Sequence, residues 1–163
     1  MSRRAPACSG AGLEMPETFF EDHAVGQATE GGYKYVDKRE IVRFATLYDP
    51  QPFHLDEAAA KQSIFGGLVA SGWHTLAMMM RMLVDHHGGR LAGLGSPGCE
   101  QIRWLQPVRP GDILRFRSEC IETAASRSKP DRGIVKTRVT VLNQRGEPVM
   151  TVVTIGMHRR RPA

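Results

Sequence analysis

Two short strings in this 163-residue chain hold side chains able to move protons and to steady negative charge. The first is Tyr48-Asp49-Pro50-Gln51-Pro52-Phe53-His54. It places a carboxylate and an imidazole in one segment that two prolines stiffen, so an acid/base pair could be held there at little entropic cost. The second is Gly66-Gly67-Leu68-Val69-Ala70-Ser71-Gly72-Trp73-His74. Its Ser71-Gly72 step opens an apolar helix, whose first N–H groups lack intrahelical partners and attract negative charge. Glycine there removes the Cβ that would block a carbonyl oxygen, which makes an oxyanion site possible. Each string also has a purely structural explanation. Asp49 could cap a helix or turn, and His54 could satisfy a backbone carbonyl. Ser71 could simply cap its helix, with Gly72 allowing close packing.

The surrounding pattern supplies elements to position both strings. Phe19 to Val36 mixes aromatic and β-branched residues with Gly26, Gly31 and Gly32, which suggests one or two short, interrupted strands. Asp37, with Glu40 three residues on, has the form of a capping box. Ile41, Phe44, Ala45 and Tyr48 then fall on one helical face. That helix must stop near Asp49, because Pro50 disfavours helical geometry before it, and Pro52 is expected to keep the chain extended. Asp56 reads as the cap of a shorter helix through Lys61. From Ser71 to His87, Trp73, Leu76, Ala77, Met80, Leu83 and Val84 keep helical spacing, while Met78, Met79 and Met82 fill most of the remaining circumference. A helix so apolar all round is expected to be buried. Strand-like runs follow at 99–108, 113–121, 134–142 and 149–157, separated by Pro110-Gly111-Asp112, by 129–133 and by a tight hairpin at 143–146. Helices first and a meander-like pattern of strands after them define an α+β chain, in which an antiparallel sheet is expected to curl around a long central helix. This is the hotdog arrangement, although ferredoxin-like and other α+β sandwiches share its broad pattern.

With 41% hydrophobic and 24% charged residues, the chain can bury a core, and no apolar run approaches the roughly 20 residues that span a bilayer. The three cysteines, Cys8, Cys99 and Cys120, are far apart and lack any CxxC spacing, which argues against a disulfide framework or a zinc site and suits a reducing cytoplasm. Residues 1–14 read as a disordered leader before a single domain over 15–163. The net charge of +5 includes Arg159, Arg160 and Arg161 at an end expected to fray, so neither nucleic acid nor a membrane is an expected partner. An anionic small ligand remains compatible.

Taken together, the two strings resemble the MaoC-like dehydratase family, the hotdog hydratases that include R-specific enoyl-CoA hydratases. The resemblance runs from about Phe20 to His158. Its most specific part is an Asp followed by x-Asn-Pro-x-His, then an Ala and a Gly-rich approach to the central helix. Here these are Asp49, Pro52, His54, Ala59 or Ala60, and Gly66 to Gly72. Two positions depart from the pattern: the family's Asn, which helps hold the reacting water, is Gln51, and Tyr48 stands where many hydratases have Gly.

The resemblance implies reversible syn addition of water to a trans-2-enoyl thioester, giving an (R)-3-hydroxyacyl thioester. Asp49 and His54 would act as the acid/base pair around a single water, and the Gly72 N–H would receive the thioester oxygen. Gln51 and Ser71 would adjoin the substrate. Arg103, Arg127 and Lys129, with Arg109 and Arg132, could meet coenzyme A phosphates, or be ordinary solvated charges. No metal or cofactor is implied beyond the coenzyme A, or acyl carrier, of the substrate itself. A homodimer or dimer of dimers is implied, since one such unit leaves a sheet edge and face poorly covered. A hotdog thioesterase and a non-catalytic acyl-thioester binding module remain as alternatives.

Overall fold

A long helix lies against one face of a curled antiparallel sheet in the computed structural model, which describes residues 17–162. In chain order the elements are a 3-10 turn (Phe20–Asp22), β1 (Ala28–Tyr35), α1 (Lys38–Tyr48), α2 (Pro52–Leu55), α3 (Glu57–Gln62), α4 (Gly72–His87), β2 (Gly93–Trp104), β3 (Ile113–Ala125), β4 (Arg132–Leu142) and β5 (Pro148–Arg159). The sheet order is β1-β3-β4-β5-β2, with every pair antiparallel. β3, β4 and β5 form a meander, and the strands before and after α4 flank it, so the hotdog reading holds with an edge strand at each side. The postulated leader at 1–14, including Cys8, lies outside the described residues.

Local chemistry explains most boundaries. The Asp37 carboxylate accepts from the N–H groups of Arg39 and Glu40, starting α1. Glu40 does not complete a capping box; its carboxylate pairs instead with Lys34 of β1. Pro52 does not keep the chain extended. It occupies the first turn of α2, where its fixed φ suits a helix and its missing N–H costs nothing. Asp56 caps α3 through Ala59 N–H, and Gly88 ends α4 in the left-handed region at φ 57°.

The core lies between α4 and the sheet. Met78, Met79 and Met82 meet Leu114, Phe116, Val139 and Val141, all essentially buried. Burying such a side chain contributes about 1.5–3 kcal/mol, and Phe116→Ala would cost about 3–5 kcal/mol. The expectation of burial around the whole helix is corrected: Trp73, Met80 and Val84 are half exposed and, with Ala77, form one apolar stripe. Helical periodicity sorts residues by face but does not reveal that a single chain covers only one side.

A second correction concerns the C-terminus, where Arg159, Arg160 and Arg161 do not fray. They pair with Glu17, Glu21 and Asp22 of the N-terminal segment, and the Arg161 guanidinium lies 5.2 Å from the Phe19 ring centre. Acidic residues distant in sequence thus neutralise the basic run.

Candidate active site

Asp49 is the C-cap of α1, and its N–H still donates to Ala45 O. The chain then turns through Gln51 into α2, the short helix that carries His54. Opposite it, the segment from Leu68 to Ser71 is buried and leads into α4. Val69 N–H donates to Phe53 O, and Ala70 N–H to Val108 O, which ties this segment to α2 on one side and to the β2–β3 connection on the other. Sequence distance therefore disappears where α1, α2 and the start of α4 meet.

His54 is buried, and its Nδ1 lies 2.8 Å from Val69 O. A carbonyl can only accept, so Nδ1 carries the hydrogen and the neutral ring presents the Nε2 lone pair. Nε2 stands 3.5 Å from Asp49 Oδ2. Two proton acceptors thus face each other without a hydrogen bond between them when the ring is neutral. The structural role considered for His54 and the chemical one are compatible, because the bond that satisfies the carbonyl also aims the other nitrogen.

Asp49 is held on both oxygens. Ser71 Oγ–H donates to Oδ2 at 2.6 Å, and Gln51 Nε2–H donates to Oδ1 at 2.8 Å. The Ser71 bond first, then the Gln51 bond, with a smaller contribution from His54, hold the carboxyl below the ordinary Asp range against a modest opposing effect of burial. Asp49 is therefore an anion at neutral pH. Ser71 Oγ also accepts from Trp73 N–H at 3.2 Å, so one hydroxyl caps the helix and steadies the carboxylate.

Gly72 is the first residue of α4, and among the described residues its N–H donates to no protein acceptor. A Cβ built on Gly72 would lie 2.5 Å from the Trp104 indole. Close packing is thus a real requirement at this position, and it coexists with an unpartnered N–H at the helix start. A cavity of about 420 Å³ opens over this corner, lined by Asp49, Gln51, His54 and Gly72 and walled by Phe53, Trp73 and Trp104 among others. Trp73 and Trp104 meet edge to face, 5.6 Å between ring centres.

The structure brings Asp49, Gln51, His54, Ser71 and Gly72 together. It does not bring Arg103, Arg127 or Lys129 to that cavity: Arg103 donates to its neighbour's carbonyl at Ile102, and Arg127 and Lys129 sit in the β3–β4 turn. Arg109 donates to Phe65 O at 2.6 Å, fastening the loop before α4, and Arg132 pairs with Asp131. Sequence reasoning missed Trp104 and Thr75, which also line the cavity. Nothing in a single sequence announces Trp104, because β2 returns to Gly72 only in the folded chain.

A curled sheet against one face of a long helix, with a carboxylate, an imidazole and a helix start facing one cavity, defines a hotdog-fold protein with a candidate acid/base site. Comparison with known proteins gives the family. The MaoC like domain model matches residues 22–143, and the chain belongs to the MaoC-like dehydratase family. The 3-hydroxybutyryl-CoA dehydratase of Methylorubrum extorquens is 33% identical over 118 residues, covering 71% of this chain and 72% of that protein. Among solved structures, the MaoC-like dehydratase from Rhodospirillum rubrum superposes with a TM-score of 0.83 at 45% identity, covering 90% of this chain and 99% of that one. The R-hydratase PhaJ1 from Pseudomonas aeruginosa gives a TM-score of 0.65 at 26% identity, covering 88% and 86%.

Proposed function

We propose that the protein catalyses reversible syn addition of water to a trans-2-enoyl thioester, giving the (R)-3-hydroxyacyl thioester. The observation that carries this reading is the pairing of two proton acceptors, Asp49 Oδ2 and His54 Nε2, at 3.5 Å in the cavity wall. A water between them donates one hydrogen to each. One acceptor takes a proton from the water as its oxygen bonds to the β carbon, and that proton is passed on to the α carbon from the same side as the carbon–carbon π bond breaks, leaving both acceptors unprotonated again. Electron density moves onto the thioester oxygen on the way, and in this reading the unpartnered N–H of Gly72 at the start of α4 receives it, a contact worth about 3–4 kcal/mol in comparable sites. The addition conserves oxidation state, so the reading invokes no cofactor beyond the coenzyme A, or acyl carrier, of the substrate. The activities named for the relatives, 3-hydroxybutyryl-CoA dehydratase and R-hydratase, support it.

The reading includes a homodimer, or a dimer of dimers. β2 is an edge strand exposed along almost its whole length, and its last residue, the exposed Trp104, meets Trp73 at the start of the apolar stripe of α4. A second copy would cover both. It also assigns the protein to the cytoplasm, in keeping with free thiols at Cys99 and Cys120. The test is a screen of trans-2-enoyl-CoA chain lengths, with chiral analysis of the product and a thiol assay alongside. Loss of enoyl absorbance without free coenzyme A supports hydration. Release of thiol would instead establish a thioesterase, and tight binding without either change a binding module.

A further inference from the structure

Gln51 is expected beside the substrate, yet its amide is engaged with Asp49. Nε2–H donates to Asp49 Oδ1 at 2.8 Å. A carboxylate can only accept, so the NH2 end must face Asp49 and the carbonyl end turns away. Oδ1 is also not the oxygen that meets His54. That oxygen is Oδ2, 3.5 Å from His54 Nε2, and its hydrogen bond comes from Ser71. Gln51 and Ser71 therefore hold the two carboxylate oxygens from two different segments, the turn between α1 and α2 and the start of α4.

The second hold has a geometric consequence. Rotation of a carboxylate about its Cβ–Cγ bond meets only a broad, two-fold barrier, so a donor on one oxygen leaves the plane free to swing. Swinging carries Oδ2 away from the point it shares with His54 Nε2, and a single water can reach both acceptors only there. A donor on Oδ1 closes that torsion.

The backbone prepares Gln51 for the task. It lies between Pro50 and Pro52, and as the residue before a proline it is extended, at φ −88° and ψ 141°. Its N–H donates to Asp49 O at 2.7 Å, and its carbonyl accepts from His54 N–H at 2.9 Å. The Cα is thus fixed relative to both proton acceptors. From that point an Asn would end one C–C bond, ~1.5 Å, short of the position that Gln reaches, and a backbone so pinned cannot advance to make up the difference.

We propose that Gln51 is a positioning residue: by holding Asp49 Oδ1 it locks the carboxylate plane so that Oδ2 stays aimed at the point shared with His54, and it does not itself bind substrate. This rests on the hydratase reading for the reaction that the carboxylate serves.

Two variants test it. Gln51→Leu keeps the bulk and removes the donor, whereas Gln51→Asn keeps the amide and removes its reach. Gln51 is exposed, so both should fold, which a denaturant melt checks. Hydration of trans-2-hexenoyl-CoA is followed against pH, beside carboxyl-carbon NMR titration of Asp49 in the free protein, its resonance assigned with Asp49→Asn. Both variants should lose about tenfold in kcat, with KM kept within about twofold and the acidic limb moved to higher pH. The Asp49 carboxyl should titrate higher in both, because a donor to the anion has been withdrawn. A raised KM with kcat and the acidic limb unmoved would overturn the proposal by making Gln51 a substrate contact. Gln51→Asn with wild-type kcat, or an Asp49 titration that Gln51→Leu leaves unmoved, would overturn it as well. The titration needs no turnover, so a wild type inert towards enoyl thioesters removes the hydratase reading while the hold on Asp49 is still decided.

Discussion

Replacing Ser71 with alanine tests the electrostatics of the site without touching either proton acceptor. The Ser71 hydroxyl is buried and makes a 2.6 Å hydrogen bond to Asp49 Oδ2, the oxygen nearest His54. A hydrogen bond to a charged group is worth about 1.5–3 kcal/mol. If that amount is lost from the reacting arrangement, turnover falls about ten- to a hundredfold. The variant also loses the cap on Trp73 N–H, a cost of about 1 kcal/mol in stability. The pH dependence separates these effects. The Ser71 bond is the first cause holding Asp49 below the ordinary carboxylate range. Without it the folded-state pKa rises toward the unfolded one, so the acidic limb of the turnover profile moves to higher pH. By the same sign, the stability that the depressed carboxyl contributes, present above its unfolded pKa and lost as pH falls through the folded one, shrinks. The assay is kcat against pH with an enoyl-CoA at saturation, beside a denaturant melt. A folded Ser71→Ala with wild-type kcat and an unmoved acidic limb would refute the reasoning.

Four further outcomes are expected. Asp49→Asn and His54→Ala should each lose about 10²–10⁴ in hydration rate, and the double variant should be little worse than the poorer single one, since members of one unit are non-additive; additive losses in steady-state assays would count against a shared water. Gly72→Ala must displace the Trp104 indole, which the added Cβ would meet at 2.5 Å, so turnover should drop with a change in tryptophan fluorescence; unchanged fluorescence at full rate would contradict the assigned packing. Val84→Glu, in the apolar stripe of α4, should weaken a dimer, which light scattering would show as a shift toward the 18.1 kDa chain; a wild type already at that mass would refute the assembly. His158 is buried beside His23, with ring centres 4.6 Å apart, and burial first, then His23 and His87, lower its pKa to about 4. The unfolded chain therefore binds more protons between about pH 6.5 and 4, and stability should fall through that window by up to roughly 3 kcal/mol; a flat stability profile there would contradict the packing.

The corner where Asp49, Gln51, His54, Ser71 and Gly72 meet was readable because its members lie in two short strings with strong local signals. Pro50 and Pro52 announce a turn after α1, and Ser71-Gly72 announces a helix start. The position of β2 was harder to read. The run expected over 99–108 begins instead at Gly93 and ends at Trp104, since a glycine-rich edge strand shows little alternation and takes its register from β5. Two register shifts among Gly93, Gly95 and Gly98 mark that irregularity. The ion pairs of Arg159 to Arg161 escaped notice for a related reason: their partners stand at the other end of the chain. The burial of His74 was equally hidden. His74 reads as one more residue of an apolar helix, and only the packing of α1 on α4 leaves its Nδ1 without a partner.

The most direct test of the central claim is the rate at which enoyl absorbance disappears from trans-2-hexenoyl-CoA, followed for the wild type and His54→Ala at equal concentration. The account predicts hydration by the wild type to an (R)-3-hydroxyacyl product, with the variant slower by at least about a hundredfold and still folded. A His54→Ala protein that keeps most of the wild-type rate would show that the water is not activated between Asp49 and His54.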